Sequence, residues 1–355
     1  MTLEATTPAE AVRARGLPAG WAAGCVLFLV ASLLVGLGVG PVHIGPIPIL
    51  ESGLSHVPLL DVHSHLSAVE RAIVWQLRAP RVVLGALVGG MLAVAGSAYQ
   101  GVFRNPLADP YLLGVAAGAG LGATLAIAFA SAQKGSGLLL PLAAFGGATI
   151  GVVLAYVLGR SVGGVSSTGT LVLAGVTVAA FMTALQTFVQ QERTQTLQEV
   201  YAWLLGGLET ASWHDVALCS PYIAVSSVTI VLHRRLLDVL SLGDDEAASL
   251  GVDVRRVRLV IVAAATLGTS AAVAVSGLIG FVGIIVPHTI RLLVTTSYRA
   301  VVPLSLIVGA GFLVLTDVLA RTILSPSELP IGVVTAFFGA PFFAVVLRRT
   351  RAVGM

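Results

Sequence analysis

Histidines and carboxylates in one short segment are the side chains that suggest metal chemistry. Asp61, His63 and His65 form a D-x-H-x-H pattern, and alternate residues of a strand share one face, as a metal-binding hydrolase site requires. The remaining ligands of such a site would have to come from a soluble barrel, whereas the chain that follows is apolar. We therefore expect a solvated loop, with binding of a metal or a substrate by His63 and His65 as the alternative.

Other reactive side chains stand alone. Cys25 and Cys219 lie in separate apolar runs and have no further cysteine beside them, which predicts packing at membrane depth rather than a zinc site. His288, after Pro287, is expected to bond to a backbone carbonyl. The one lysine, Lys134, lacks the glycine spacing of a phosphate-binding loop. The sequence thus predicts no catalytic residue, no metal site and no cofactor, and the chain cannot hydrolyse ATP by itself.

The composition indicates that lipid is the main solvent of this chain. Hydrophobic residues make up 56% of the 355 residues and charged residues 10%, against about 25% charged in soluble domains. The 40 glycines favour close helix packing, and Gly114, Gly118 and Gly122 are predicted to form one packing seam. A formal charge of +3 without any basic stripe excludes nucleic acid as a partner.

Apolar runs long enough to cross a membrane organise the sequence. A helix needs about 20 apolar residues to cross the hydrocarbon layer. Ten such runs occur, at residues 21–40, 82–101, 112–132, 138–158, 171–189, 216–232, 257–275, 278–294, 302–320 and 331–347. We predict an all-α, polytopic integral membrane protein with ten transmembrane helices. Residues 21–347 form the membrane domain, between an N-terminal tail (1–20) and a C-terminal tail (348–355).

The distribution of positive charge predicts the orientation. With ten spans and cytoplasmic termini, the basic residues outside are Arg71, Arg78, Arg81, Lys134, Arg193 and Arg321, and the other 14 of the 20 lie inside. This split agrees with the positive-inside rule. We therefore predict a multi-pass protein of the bacterial cytoplasmic membrane with both tails in the cytoplasm.

The connections and the spans narrow the function. Three connections are long, namely 43–79 and 190–215 outside and 233–256 inside, and long connections commonly carry function. The spans hold almost no ionisable group for a coupling proton or sodium ion. A secondary carrier or channel is therefore the less favoured alternative. Asp317, four residues before Arg321, fits an ion pair on a helix surface.

Six ordered motifs carry a resemblance to a known family. They are LRAPR (77–81), QGVFRNPLADPYLLG (100–114), LAGV (173–176), LGDDEAASLGV (242–252), GLIGFVGIIVPHTIRLL (277–293) and LPIGVVTAFFGAPFF (329–343). From about residue 77 to 347 the sequence resembles the FecCD permease family, whose members import ferric siderophores, haem and cobalamin through ATP-binding-cassette (ABC) transporters. Tyr111 replaces the usual glycine, which is expected to affect only local loop geometry.

The resemblance implies an assembly and a cargo. Two copies of the chain would form a central path, with two copies of an ABC ATPase subunit inside and one extracytoplasmic substrate-binding protein outside. The chain would be a non-catalytic permease subunit for a bulky metal chelate. A ferric siderophore is the first choice, and cobalamin or haem comes next.

The segment RNPLADP predicts a stiff turn at the cytoplasmic mouth. Asn105 and Asp109 can bond to the backbone there, and Pro106 and Pro110 prevent helix continuation. The resemblance places this turn and a second one, SSTG, at the inner end of the path. The implied cytoplasmic gate consists of Asn105, Pro106, Leu107, Ser167 and Thr168, and plain connectors between spans are the alternative.

The inner connection contains a candidate coupling helix. Asp244 and Asp245 suit a helix start, and Gly251 can end the helix. Small and apolar side chains would give it one face that fits a groove on a partner, and its Glu-Ala-Ala sequence resembles the coupling motif of importers, with a shorter gap to the glycine. The residues predicted to dock the ATPase are Asp244, Asp245, Glu246, Ala247, Ala248, Leu250 and Gly251; a solvated loop is the alternative.

Two further sets of residues are assigned with the help of the resemblance. The fifth and tenth spans are implied to line the path, and the fifth offers a sparse polar lining of Thr177, Thr183, Gln186 and Gln190. Arg78, Arg81 and Arg321 are predicted to form a basic collar that meets acidic residues of the binding protein. Snorkelling of these arginines to lipid headgroups is the alternative.

Overall fold

The computed structural model describes residues 18–55, 64–130, 137–163 and 168–353, and these residues form helices joined by short connections. The first helices are α1 (Ala19–Gly38), α2 (Pro46–Leu54), α3 (Ala68–Ala72), α4 (Ala79–Phe103), α5 (Val115–Ala130), α6 (Leu139–Gly163) and α7 (Thr168–Glu192). They continue with α8 (Leu197–Leu204), α9 (Trp213–Leu240), α10 (Asp244–Ser249), α11 (Val254–Ser276), α12 (Val282–Leu293), α13 (Tyr298–Thr322) and α14 (Ile331–Val353). No strand occurs within these described ranges, which agrees with the predicted all-α class.

Each predicted apolar run overlaps one helix, namely α1, α4, α5, α6, α7, α9, α11, α12, α13 or α14. Within the described residues, seven helices are long and apolar enough to cross a membrane. The apolar stretches of α5, α12 and α14 are shorter, at 10–17 residues each. The polytopic membrane architecture is therefore confirmed, while the count of ten crossings stays a prediction.

Helix α4 forms the centre of the bundle and packs against α9, α11, α12 and α13. Its apolar window is 83% buried inside the protein, whereas that of α1 is 17% buried. A Cβ atom at Gly96 would lie 2.1 Å from the carbonyl oxygen of Gly283, and one at Gly89 would lie 2.3 Å from that of Gly309. Only glycine permits these backbones to approach so closely, and this explains why the central helix is rich in it.

The predicted glycine seam joins α5 to α6. A Cβ atom at Gly118 would lie 2.1 Å from the oxygen of Gly147, and one at Gly122 would lie 2.1 Å from that of Ala143. Backbone-to-backbone contact of this kind leaves no room for a ligand. The packing role predicted for these glycines is confirmed.

The long connections contain more helix than the sequence analysis expected. Helices α2 and α3 lie in the segment 43–79, where Ile44, Ile49, Leu66 and Val74 form a small apolar cluster. A π-helical stretch, Ile73–Arg78, leads from α3 directly into α4. Helix α9 runs to Leu240, so the inner connection begins about two turns after the predicted boundary at residue 233.

Candidate gate and coupling site

The turn after α4 has the compact geometry that the sequence predicted. Arg104 ends the helix in the left-handed region, with φ of 50°. The Asn105 side-chain oxygen accepts a hydrogen bond from the Leu107 nitrogen at 2.9 Å. Asp109 caps the following 3-10 turn (Pro110–Leu113) by accepting from the Tyr111 nitrogen at 2.8 Å. Desolvation raises the pKa of the Asp109 carboxyl to about 6, although this hydrogen bond lowers it.

Two long-range contacts fix this turn to the bundle. The Tyr111 hydroxyl donates to the Ile279 oxygen at 3.0 Å and accepts from the Ile279 nitrogen at 3.1 Å. We expected that Tyr111 in place of the usual glycine would affect only local loop geometry. Its side chain instead links the turn to the segment before α12. Gln100 donates to the Gly283 oxygen at 3.0 Å and accepts from Arg291 at 2.6 Å. Hydrogen bonds thus join the turn and the end of α4 to α12 and to the segment before it.

The second half of the predicted gate is described only in part. Ser167 lies outside the described residues. Thr168 is the first residue of α7. The pairing of the two gate turns therefore stays a prediction.

The predicted coupling helix is present as α10. Three acidic residues occupy its first turn, and Gly251, with φ of 81°, follows its end. The Val252 nitrogen bonds to the Ala247 oxygen at 3.1 Å, which closes the helix end. Ala247 is completely buried within the chain, whereas Ala248 and Leu250 are exposed. The single small apolar face that we expected is thus wrong, because residues 247 and 248 are about 100° apart around the helix.

Asp244 connects this helix to the gate turn. Its carboxylate accepts from Arg258 of α11 at 3.0 and 3.1 Å. The same carboxylate lies 3.5 Å from the guanidinium of Arg104, at the start of the turn. One carboxylate of α10 therefore lies within ion-pair distance of both α11 and the end of α4.

The predicted path residues divide between two sides of α7. Thr177 and Thr183 are exposed, and the Thr177 hydroxyl donates to the Leu173 oxygen at 2.9 Å. Gln190 is half-buried. Gln186 is buried and its side-chain oxygen would lie 2.8 Å from a Cβ atom at Gly120 of α5. Gln186 therefore does not belong to the exposed face where we expected it, since it packs between helices.

The three outer arginines are enclosed rather than displayed. Arg78 donates to the oxygens of Leu37 at 2.8 Å and Gly38 at 3.1 Å, and also to Val42. Arg321 donates to the Gly36 oxygen at 2.6 Å. Both guanidinium groups thereby satisfy carbonyls at the end of α1. These two side chains are therefore buried within the subunit, and their predicted part in a basic collar that docks the binding protein stays a prediction.

Arg81 joins two carboxylates. It bonds to Asp317 at 2.8 and 3.0 Å and to Glu328 at 2.8 and 3.1 Å. Asp317 is 2% exposed and also lies 3.6 Å from Arg321. The Asp317–Arg321 pair is therefore buried and is not the helix-surface pair that we expected. Together the arginines fasten α1, α4 and α13 at their outer ends.

The sequence from residue 27 to residue 349 matches the FecCD transport family. The chain belongs to this family. The cobalamin import system permease protein BtuC of Halobacterium salinarum is 36% identical over 358 residues, which cover 92% of this chain and 95% of the relative. The iron(3+)-hydroxamate import system permease protein FhuB of Bacillus subtilis is 36% identical over 327 residues, covering 92% and 82%.

A solved structure shares the same fold. It is reported as an inward-facing conformation of a metal-chelate type ABC transporter, and it superposes with a TM-score of 0.81 at 29% identity. The match covers 94% of this chain and 100% of the other chain. The resemblance to FecCD permeases inferred from the motifs is thereby confirmed.

In this FecCD protein, His65 is the one member of the D-x-H-x-H pattern that lies among the described residues. His65 lies 2.7 Å from Glu51, and Asp61 and His63 lie outside the described residues. Among the described residues, no group of three or more His, Cys, Asp or Glu could hold a metal. His288 packs edge-on against Phe342, with ring centroids 5.8 Å apart, and this contact replaces the expected carbonyl partner.

Sequence reasoning missed four residues that lie around the predicted gate turn and helix α10. Gln100 and Arg104 flank the turn, Arg291 bonds to Gln100, and Arg258 bonds to Asp244. Gln100 and Arg104 lie inside the motif QGVFRNPLADPYLLG, so their position beside the gate turn was the available signal. The partners of Arg258 and Arg291 could not be found in the same way, since they lie 14 and 191 residues away along the chain.

Proposed function

We propose that this FecCD protein is the permease subunit of an ATP-driven importer that moves a bulky metal chelate across the bacterial cytoplasmic membrane. The observation that supports this most is the exposed helix α10, which is linked through Asp244 and Arg104 to the turn at the end of α4. In this proposal the chain performs no catalysis. A separate ABC ATPase, present in two copies, docks on α10 and supplies the energy.

Transmission from the ATPase to the gate follows from the contacts of α10. Ala248 and Leu250 are exposed and form the surface offered to the ATPase, while Ala247 anchors the helix to its own subunit. When nucleotide binding moves α10, the shared carboxylate of Asp244 moves Arg104. The turn that contains Asn105 follows, because Gln100 and Tyr111 hold it rigidly to the bundle.

A second copy of the chain completes the path. The exposed faces of α7 and α14 carry large apolar side chains, since Phe181 is 61% exposed, Phe188 63% and Phe337 75%. Two such faces meeting around an axis would enclose a passage. Thr177 and Thr183 supply polar groups on this face of α7, while Gln186 is buried against α5.

The outer side receives the binding protein. Positive charge is sparse there, and both tails are placed in the cytoplasm on the basis of the 14 basic residues on that side. The proposed docking platform consists of the outer ends of α1, α4 and α13. Arg78, Arg81 and Arg321 join the helices of this platform to one another. Glu328 lies at its surface with its side chain 33% exposed.

The cargo is proposed to be a ferric siderophore, with cobalamin or haem next. BtuC and FhuB match this chain with the same identity of 36%, although their names assign cobalamin to one and iron hydroxamate to the other. The comparison therefore supports a metal chelate as the class and leaves the choice of member to the binding protein. Such proteins fix specificity outside this chain.

The test uses vesicles that contain the permease with its ATPase. We expect ATP hydrolysis to increase when the cognate binding protein is added with its ligand, and only a ligand that the binding protein retains should be effective. Ferric hydroxamate, cobalamin and haem are compared in parallel at equal concentration. If ATP hydrolysis does not increase when the binding protein is added with any of the three ligands, the proposed function is contradicted.

A further inference from the structure

A groove on the bundle has no role in the proposed transport mechanism. It lies between α6 and α11, beside the starts of α5 and α7, and encloses about 440 Å³. Its wall on α6 includes Phe145 and Val152, and its wall on α11 includes Leu259 and Val262. No residue of α10 lines the groove, and Leu113, at the end of the 3-10 turn, is its one lining residue between α4 and α5. Its occupant must present a mainly apolar surface.

The two threonine hydroxyls in the wall are already used within the protein. Thr149 donates to the Phe145 oxygen at 2.9 Å, and Thr266 shares a hydrogen bond of 2.8 Å with Tyr99. Neither group is left to recognise a polar ligand. The groove itself therefore suits a hydrocarbon chain.

Arginines follow both walls of the groove at the same end. Tyr156 lines the groove near the end of α6, and Arg160 follows it by four residues, which is about one helical turn. Leu259 lines the groove near the start of α11, and Arg255 and Arg256 precede it by four and three residues. These spacings keep the three arginines on the groove-lining faces.

These arginines are available for a ligand. Arg160, Arg255 and Arg256 are exposed, and among the described residues none of them forms an ion pair. Arg258, on the same helix, differs because it is buried and bound to Asp244. Asp253 is the nearest acidic residue on α11, and one of its oxygens accepts from the Arg256 backbone at 3.0 Å. The end of the groove thus keeps a net positive charge.

We propose that this groove binds an anionic phospholipid, with an acyl chain between α6 and α11 and the phosphate between Arg160 and the pair Arg255 and Arg256. Charge complementarity supports this occupant, because basic side chains at the membrane surface attract anionic headgroups. A single lipid molecule also combines the apolar and the negative part that the two ends of the site require. This inference goes beyond transport and does not depend on the proposed cargo.

The first test removes the charges. The full-length protein is equilibrated in micelles that contain equal amounts of phosphatidylglycerol and phosphatidylcholine, and the lipids that stay bound are counted by native mass spectrometry. Wild type should retain phosphatidylglycerol preferentially. Changing Arg160, Arg255 and Arg256 to Gln should lower this preference by about fivefold for each arginine removed.

A matched variant controls for general electrostatic attraction. Arg234, Arg235 and Arg348, which lie on α9 and α14 away from the groove, are changed to Gln together. This control should retain phosphatidylglycerol as wild type does. If wild type retains the two lipids equally, or if the control loses the preference as completely as the groove variant, the inference is wrong.

The second test fills the groove. Ala263 lines it and is exposed, so Ala263→Trp should exclude the acyl chain, whereas Ala224→Trp on the exposed face of α9 should not. We expect loss of bound phosphatidylglycerol in the first variant only, with an unchanged oligomeric state. Retention of the lipid by Ala263→Trp would overturn the inference. Dissociation of a dimer by that variant would also overturn it, since a second copy would then be the occupant.

Discussion

At the scale of single residues, buried charges hold the outer ends of the helices together. Asp317 accepts from Arg81 and lies beside Arg321, and its side chain is 2% exposed. A buried charge costs several kcal/mol unless a partner compensates it. The carboxylate of Asp317 therefore compensates two guanidinium groups at once. Glu328 compensates only Arg81 and remains partly in solvent.

This difference predicts unequal effects of two carboxylate deletions. Asp317→Ala should destabilise the protein by about 3–5 kcal/mol, because it leaves the enclosed Arg321 without an acidic partner and removes one of the two carboxylates bound to Arg81. Glu328→Ala should cost less than about 1 kcal/mol, since that pair is partly solvated. Thermal unfolding of both variants in the same detergent measures the difference. Equal losses of stability would show that Asp317 stabilises the protein no more than Glu328 does.

Asp109 predicts a dependence of stability on pH. Its pKa is raised to about 6 in the folded protein from an ordinary value of 3.8. The folded state therefore holds its proton more tightly than the unfolded chain, and stability should fall as pH rises from about 4 to about 6. Asp109→Asn keeps the oxygen that Tyr111 needs but cannot ionise.

We expect Asp109→Asn to match wild type below pH 4 and to be more stable by about 3 kcal/mol at pH 7. Unfolding of both proteins is followed across this pH range at constant salt. Parallel curves for the two proteins would mean that the carboxyl of Asp109 titrates normally.

At the scale of helices, hydropathy was sufficient to locate the apolar elements but not the polar ones. The ten apolar runs could be found because each is continuous in the sequence and is identified by its hydropathy and length alone. Helices α2, α3 and α8 were missed because each has fewer than ten residues, which is too short for the length of a membrane span. The burial of Arg78 was missed because its partners lie 36 to 41 residues earlier in the chain.

Helix α10 shows the same limit within one element. Asp244 and Gly251 marked its ends correctly, since caps are local signals. The division between buried Ala247 and exposed Ala248 depends on how α10 packs against α9 and α11, which no local pattern contains.

The two alanines of α10 therefore predict separate defects. Ala248→Trp should leave folding and membrane insertion intact but abolish co-purification of the ATPase and uptake, because it overfills an exposed contact. Ala247→Trp should instead lower thermal stability by about 1–3 kcal/mol, because its side chain has no free volume. Normal uptake by the Ala248→Trp variant would place the docking surface elsewhere.

The pair between Arg104 and Asp244 predicts a coupling defect. Arg104→Gly keeps the left-handed backbone without strain and removes the charge. Because this ion pair is partly exposed, at 42% and 31% for the two side chains, its loss should lower uptake per ATP hydrolysed only about two- to fivefold. Arg104→Lys should restore most of the ratio. Unchanged coupling in Arg104→Gly would show that the signal passes through Arg258 alone.

At the scale of the whole molecule, the chain is an apolar bundle whose functional surfaces lie at its edges. The gate turn and α10 lie at one end, and the platform of α1, α4 and α13 lies at the other. The exposed aromatic side chains of α7 and α14 form the lateral face that is proposed to meet a second copy. This arrangement agrees with the proposal that the subunit works with an ATPase, a binding protein and a second copy of itself.

Uptake into proteoliposomes tests the central claim most directly. The permease, its ATPase and the loaded binding protein are combined, and chelate accumulation is measured with ATP, with a nonhydrolysable analogue, and with imposed proton or sodium gradients. We predict accumulation that requires ATP hydrolysis and the binding protein and is insensitive to either gradient. Accumulation driven by an ion gradient without the ATPase would contradict the account and identify a secondary carrier.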